Sequence, residues 1–247
     1  MKLSNPVEGG VLDFDPFNTR TVTDPSHDLG ALVELNDYRA FRHIKVGASN
    51  TSAGKANIAP APIANHHNMS VLAAALNTNL LTVTPGATAG AAGIYDEGFA
   101  VINAGPGVGQ TLKVSHNPAI TSSTAFIISL QDALSVALTT SSKVSLVHSQ
   151  FNGAVEAAVQ TRRVNGVPLV GLTAAAFGWA QTKGLASVLA QGTIAVGSDI
   201  VPSSSVAGAV AAVSGTYATD LITARIGQAL VMAGVDTEYR PMVLSID

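Results

Sequence analysis

The sequence of 247 residues contains no cysteine. A disulfide framework, a thiolate metal site and a cysteine nucleophile are therefore all excluded. This absence says nothing about the redox compartment, and it leaves packing and association as the sources of stability.

Charged side chains are also scarce. They make up 12% of the chain, about half of the roughly 25% that is usual in soluble domains. Surfaces that are covered by partner subunits are depleted of Lys, Glu and Asp, so this composition favours a subunit of an assembly. The net charge of -3 and the lack of Lys/Arg runs predict no direct binding to nucleic acid.

Long apolar runs are missing as well. No stretch of about 18 uninterrupted apolar residues occurs in the chain. Pro and acidic residues stand near its start, where a signal peptide would need an apolar segment. We expect a soluble, unprocessed protein with no membrane partner.

Short segments with period-two alternation of apolar residues are what the sequence does contain. They are bounded by Gly, Pro, Asn or Ser, which is typical of strands in a barrel or sandwich. We predict an all-β fold of short-stranded β-barrel or β-sandwich units with little helix. Residues 29–65 and 148–247 form one β-rich domain, residues 66–147 form an inserted β-barrel or sandwich domain, and residues 1–28 form an extended arm.

The alternation also predicts which side chains face the core. In the inserted segment the alternating apolar positions are Leu81, Val83, Phe99, Val101, Leu112, Val114, Phe126, Ile128 and Leu130. In the last hundred residues they are Val188, Ile194, Val196, Ile226, Met242, Leu244 and Ile246. Asn36-Asp37 between two alternating segments predicts a β-hairpin near residue 29.

Motifs that would carry chemistry are incomplete. The segment GPGVGQ at 105–110 has Gln110 in place of the third glycine of a dinucleotide-binding loop, so a tight turn between strands is the better interpretation. His66 and His67 are adjacent and lack a neighbouring carboxylate cluster, which favours a loop pair over a metal site. No G-x-S-x-G elbow presents a serine nucleophile. We predict no catalytic residues, no metal and no cofactor.

Aromatic residues supply the candidate contact positions. Phe14 and Phe17 lie in the polar arm and are candidates for anchoring on a neighbouring subunit, with a frayed terminus as the alternative. Trp179 is the only tryptophan, and core or interface anchoring is far more common for such a residue than ligand stacking. With Tyr239, these residues form the predicted interface set.

The C-terminal half contains two distinctive segments, FGWAQTKGLASVLAQGTIAVGSDIVPSSSVAGAV at 177–210 and IGQALVMAGVDTEYRPMVLSID at 226–247. Together they resemble a family of tailed-bacteriophage virion structural proteins, the capsid decoration or head cement proteins. LGALVELNDYRAFRHIKVGASNTSAGK at 29–55 and LTTSSKVSLVHSQFNGAV at 138–155 are similar to the opening and middle parts of that family. The resemblance thus covers nearly everything after the arm.

The resemblance implies a non-enzymatic virion protein that is made in the host cytoplasm. Such a protein binds the major capsid protein on the exterior of the phage head as a homotrimer and stabilises the shell. Three alternatives differ from it: a tail, neck or receptor-binding virion protein, a phage glycan hydrolase, and the major capsid protein itself. A glycan hydrolase needs two carboxylates across a cleft, whereas Asp96 and Glu97 are adjacent in sequence. A major capsid protein needs a long spine helix, for which no helical period is found.

Overall fold

The fold is nearly all β, as the sequence predicts. The structure, a computed structural model, describes residues 14–18, 27–158, 162–213, 225–231 and 236–247. Within these ranges the only helical element is a 3₁₀ turn at Ala64–His66. The strands are β1 (Leu32–Glu34), β2 (Ala40–Val46), β3 (Asn57–Ile58), β4 (Met69–Val71), β5 (Leu80–Thr84), β6 (Phe99–Ala104), β7 (Thr111–His116), β8 (Phe126–Leu130), β9 (Lys143–Val147), β10 (Asn152–Glu156), β11 (Val164–Pro168), β12 (Phe177–Leu189), β13 (Asp199–Pro202), β14 (Val210–Ala212), β15 (Gly227–Ala229) and β16 (Tyr239–Ser245).

The chain divides into two compact units, one inserted into the other. Ala61–Asn152 form the inserted unit, where 66–147 was the predicted extent, and we call it the barrel unit. Met1–Pro60 and Gly153–Asp247 form the other, which we call the sheet unit. No helix of the described residues is long and apolar enough to cross a membrane.

The barrel unit is a closed barrel with the strand order β4-β5-β8-β7-β6-β9. Every neighbouring pair is antiparallel, so side chains alternate between the interior and the outer surface. The interior is filled by one apolar cluster that includes Leu81, Ile102, Ile128 and Leu146. Closure removes the strand edges that an open sheet would expose.

The prediction that Phe99 and Val101 of β6 face the barrel interior is wrong by one position. Phe99 is 41% exposed, and the residues that enter the core are Ala100 and Ile102. The segment carries apolar side chains at both parities, so alternation alone does not distinguish its two faces. The other predicted inward residues of the barrel, from β5, β7 and β8, are buried.

The turn at 105–110 joins β6 to β7, which confirms the interpretation of GPGVGQ as a strand connection. Gly105, Gly107 and Gly109 have φ values of +74°, +83° and +92°. This left-handed region is strained for residues with a Cβ, and the turn therefore requires its glycines for conformation rather than for phosphate binding.

The sheet unit contains a ten-stranded sheet with the order β1-β2-β10-β3-β11-β12-β16-β15-β13-β14. An additional pairing of β2 with β12 connects two non-neighbouring members of this order. The predicted hairpin is present as β1 and β2, with Val33 opposite Phe41. Strand β12 is 13 residues long and pairs with β2 and β11 through its first half and with β16 through its second.

Two apolar clusters lie among the described residues of the sheet unit. The larger includes Ile58, Val188, Ile200 and Met242, and it gathers side chains from strands that are far apart in sequence. Among the predicted core positions of the last hundred residues, Val196 is instead 57% exposed. It lies in the connection before β13, where no strand fixes the parity of its side chain.

Candidate functional site

The predicted interface residues fall into two groups. Trp179 is 3% exposed and Phe14 is 9% exposed, and their rings meet edge to face with centroids 5.0 Å apart. Both belong to the second apolar cluster of the sheet unit, together with Val33 and Phe41. Trp179 and Phe14 therefore pack inside their own unit and do not present a contact surface.

Phe17 and Tyr239 are the exposed members of the set. The Phe17 side chain is 65% exposed and follows Asp15, whose carboxylate accepts the Phe17 N–H at 2.9 Å. Of the predicted arm, residues 1–13 and 19–26 lie outside the described residues, so only Phe14–Asn18 and His27–Asp28 can be placed. Tyr239 is 47% exposed and lies at the start of β16.

Tyr239 marks one end of an exposed sheet face without charged residues, which we call the β12–β16 face. Its members are Leu185, Ser187, Tyr239, Pro241 and Val243. They alternate with buried residues along each strand, so they lie on the same side of the sheet. Leu185 is paired directly with Val243, and Ser187 with Pro241.

Exposed apolar side chains dominate this face. Leu185 is 55% exposed, and Val243 is 37% exposed. Gln228 of β15 extends the row on the far side of Val243. At the margin, Lys183 approaches Glu34 at 3.8 Å. The face thus offers contiguous apolar surface with ion pairs at its margins, the second of them between Asp199 and Arg225 beside Gln228.

A second exposed apolar group lies on the barrel unit. Leu72, Thr82 and Ile127 form one row across β5 and β8, because the Leu72 N–H donates to the Thr82 carbonyl and Thr82 is paired with Ile127. Leu80 precedes Thr82 by two residues and lies on the same side of the strand. Leu72, Leu80 and Ile127 are each at least half exposed.

The barrel unit also holds a polar cluster that combines two histidines and a tyrosine. His66 is fully buried, and its Nδ1 lies 2.7 Å from the Tyr95 hydroxyl while its Nε2 lies 2.9 Å from the Thr88 carbonyl. The His148 ring stacks on the Tyr95 ring, with the two ring centroids 4.5 Å apart and the planes 7° apart. His66 lies in the 3₁₀ turn rather than in an irregular loop, and only His67 is exposed.

Burial perturbs two groups of this cluster. It raises the pKa of the Tyr95 phenol above its ordinary value, so the hydroxyl keeps its proton. Burial, followed by the nearby His66 and His67, lowers the pKa of His148 to about 4. Around neutral pH both of these side chains are therefore uncharged. Among the described residues, no group of three or more His, Cys, Asp and Glu could hold a metal ion.

Two adjacent carboxylates of the barrel unit, Asp96 and Glu97, have separate local partners. Asp96 accepts the Asn117 N–H at 3.1 Å and lies 3.2 Å from His116. Glu97 pairs with Lys113 at 2.6 Å. Adjacent carboxylates that point to separate partners do not form the opposed pair that glycoside hydrolysis requires.

Comparison with known proteins does not assign the chain to a family or a function. No family model matches the sequence, and no curated protein or solved structure is significantly similar to it. The exposed surfaces and the histidine cluster are therefore interpreted from their own geometry and chemistry.

Proposed function

We propose that this chain is a structural virion protein that decorates and cements the head of a tailed bacteriophage. In this role it binds the major capsid protein on the outside of the shell and associates with copies of itself as a homotrimer. It performs no chemistry and needs no cofactor. The observation that carries the proposal is the β12–β16 face, which lies within the segments that resemble decoration proteins.

The composition of this face suits a protein interface. Interface cores are depleted of charged residues and contain aromatic and apolar side chains. Burying apolar surface contributes roughly 25 cal/mol per Å², and covering Leu185, Tyr239 and Val243 involves no desolvation of a charge. A partner of matching chemistry is an uncharged surface of capsid protein or of a neighbouring subunit.

Cementing follows from mass action. A protein that binds only the assembled shell shifts the assembly equilibrium toward that shell. The scarcity of charge, at 12% of residues, also means that binding depends little on screening by salt. We therefore expect attachment to persist at high ionic strength.

The first prediction concerns copy number. Quantitative mass spectrometry of purified virions should give a simple ratio of this chain to the major capsid protein, with hundreds of copies per particle. A handful of copies would instead indicate the tail, neck or receptor-binding alternative. Absence from the virion would contradict the proposal and favour the enzyme alternative.

The second prediction tests the β12–β16 face directly. The double substitution Leu185→Ser and Val243→Ser should weaken binding to undecorated heads by about tenfold or more, because it removes two adjacent apolar side chains from the contact. Cosedimentation of purified protein with heads measures the binding. Both positions are exposed, so the variant should keep its circular dichroism spectrum.

A matched control is available outside this face. Val108 and Val196 are 64% and 57% exposed, and Val108→Ser with Val196→Ser removes a similar amount of exposed apolar surface. This control should bind heads like the unmodified protein. If both double variants bind equally well, the β12–β16 face is not the contact.

A further inference from the structure

The barrel unit combines very few charges with most of the histidines. Its charged residues are Asp96, Glu97, Lys113, Asp132 and Lys143, and its histidines are His66, His67, His116 and His148. Four of the six histidines of the chain thus lie in this unit.

His66 is held by two hydrogen bonds, one at each nitrogen of its ring. The Thr88 carbonyl can only accept, so the Nε2 atom donates to it at 2.9 Å. When the ring is neutral, the Nδ1 atom is then the acceptor, and the Tyr95 hydroxyl donates a hydrogen bond to it at 2.7 Å. A proton added to Nδ1 of His66 would make this atom a donor. The Tyr95 hydroxyl would then have to rotate its own proton away before it could accept from Nδ1.

His148 is the member whose protonation the surroundings oppose most. Its ring stacks on Tyr95, and the histidines that act on it from neighbouring segments are His66 and His67. No carboxylate of the barrel unit offsets a positive charge on His148. Asp96 faces His116 and Asn117, and Glu97 faces Lys113.

The remaining charged groups of the unit have other surroundings. Lys143 donates to the Ser70 hydroxyl at 3.0 Å, and Asp132 is exposed in the connection after β8. The face of Tyr95 attracts a cation and offsets part of the penalty. Burial, which lowers the pKa of His148 to about 4, remains the larger effect.

The cluster fastens the connection of residues 85–98, which leads from β5 to β6. The His66 ring reaches Thr88, and the neighbouring Asn65 carbonyl accepts the Gly86 N–H at 2.8 Å. Tyr95, from the end of the same connection, is fully buried in the barrel core. The connection is therefore attached to the histidine cluster through Thr88 near its start and through Tyr95 near its end, in addition to the hydrogen bonds that Asn117 makes to it.

We propose that this cluster is an acid-sensitive latch, in which protonation of His148 against Tyr95 and His66 releases the connection of residues 85–98 from the barrel core. At neutral pH the latch is closed, because His148 and the Tyr95 hydroxyl are both uncharged. The open form binds a proton at His148 more tightly than the closed form does, because burial lowers the pKa of His148 in the closed form. As the pH falls through the ordinary histidine range, protonation therefore stabilises the open form more than the closed form. The opening equilibrium then shifts toward the released connection.

The size of the effect follows from this linkage. One histidine with an ordinary pKa of about 6.5 in the open form favours opening about 10- to 30-fold more at pH 5.0 than at pH 7.5. The lower end of this range allows for the attraction between the imidazolium and the Tyr95 ring.

Hydrogen–deuterium exchange of the full chain tests the latch. Peptides that cover residues 85–98 should exchange about 10- to 30-fold faster at pH 5.0 than at pH 7.5, after correction for intrinsic rates. His148→Phe keeps a ring for stacking on Tyr95 but cannot bind a proton, so it should remove most of this increase. His116→Gln removes the histidine that lies 3.2 Å from Asp96 of the connection, a contact that a positive charge on the ring can only strengthen, so the increase should persist in this variant.

The outcomes that overturn the latch are distinct from those that overturn the decoration role, because the exchange experiment uses the isolated chain. Equal protection of residues 85–98 at both pH values in the unmodified protein would contradict it. An undiminished increase in His148→Phe would also contradict it. Should His148→Phe fail to fold, the unmodified chain and His116→Gln still decide the question through the pH dependence of their exchange.

Discussion

Replacing Trp179 by alanine should destabilise the sheet unit by about 3–5 kcal/mol, the cost typical of deleting a buried aromatic side chain. Trp179 is 3% exposed and packs edge to face on Phe14. Its ring also contacts the rings of His27 and His43, with centroids 5.3 and 5.1 Å away. The substitution leaves a cavity among groups that come from three separate segments of the chain.

Urea denaturation of the full chain, followed by circular dichroism, measures this loss. Tyr38→Ala is the matched control, since Tyr38 is 81% exposed in the β1–β2 turn and its removal should change stability by no more than about 0.5 kcal/mol. A loss below about 1 kcal/mol for Trp179→Ala would show that Trp179 is not a core residue. It would also reopen the prediction that Trp179 anchors a partner.

Asn117→Ala should destabilise the barrel unit by about 2–4 kcal/mol, because it leaves buried polar groups without partners. Asn117 is fully buried, and its Oδ1 accepts the Tyr95 N–H at 2.7 Å. Its Nδ2 donates to the carbonyls of Ala91 and Pro118 at 3.2 and 2.8 Å. One side chain therefore satisfies three backbone groups around the connection to β6.

Thermal unfolding of Asn117→Ala and of Asn103→Ala provides the comparison. Asn103 is exposed on β6 and donates to the Asn68 side chain at 3.0 Å, so its loss should change stability by about 0.5 kcal/mol or less. Equal melting temperatures for the two variants would mean that backbone groups near Asn117 find other partners.

Much of the β architecture could be predicted from local sequence. Alternation identified β5, β7 and β8 with the correct inward side chains, and the Asn36-Asp37 turn identified the first hairpin. Strand β3 was missed because Asn57–Ile58 lie in a segment rich in Gly, Ala and Pro that predicts a connection. Two residues carry no periodicity, and β3 exists because β10 and β11 pair with it from both sides.

The functional surfaces were harder to predict, for a similar reason. In β12 the exposed Leu185 is followed by the buried Ala186 and Val188, so apolar residues occur at both parities. Which parity faces outward is decided by the neighbours β2, β11 and β16, whose pairing the sequence does not disclose. Of the residues predicted for an interface, Tyr239 is exposed and Trp179 is buried, and the sequence left open whether Trp179 belongs to the core or to an interface.

The histidine cluster depends entirely on long-range contacts. His66 and Tyr95 are 29 positions apart, and no motif links them. His148 follows β9, which lies beside β4 only in the closed barrel. The sequence indicated an unreactive histidine pair at 66 and 67, but it could not reveal that Tyr95 joins the first of them to His148.

The point at which the chain leaves and re-enters the sheet unit has an evolutionary consequence. Pro60 and Gly153 flank the barrel unit, and a Cβ placed on Gly153 would lie 3.6 Å from the Pro60 side chain. Next to them, the Ala59 N–H donates to the Arg163 carbonyl at 2.8 Å. Because the two ends of the insertion meet, its loss by deletion would require only a short loop to restore the chain. The same junction could accept a different module by recombination, so lineages of this protein can change what they carry while keeping the sheet that carries it.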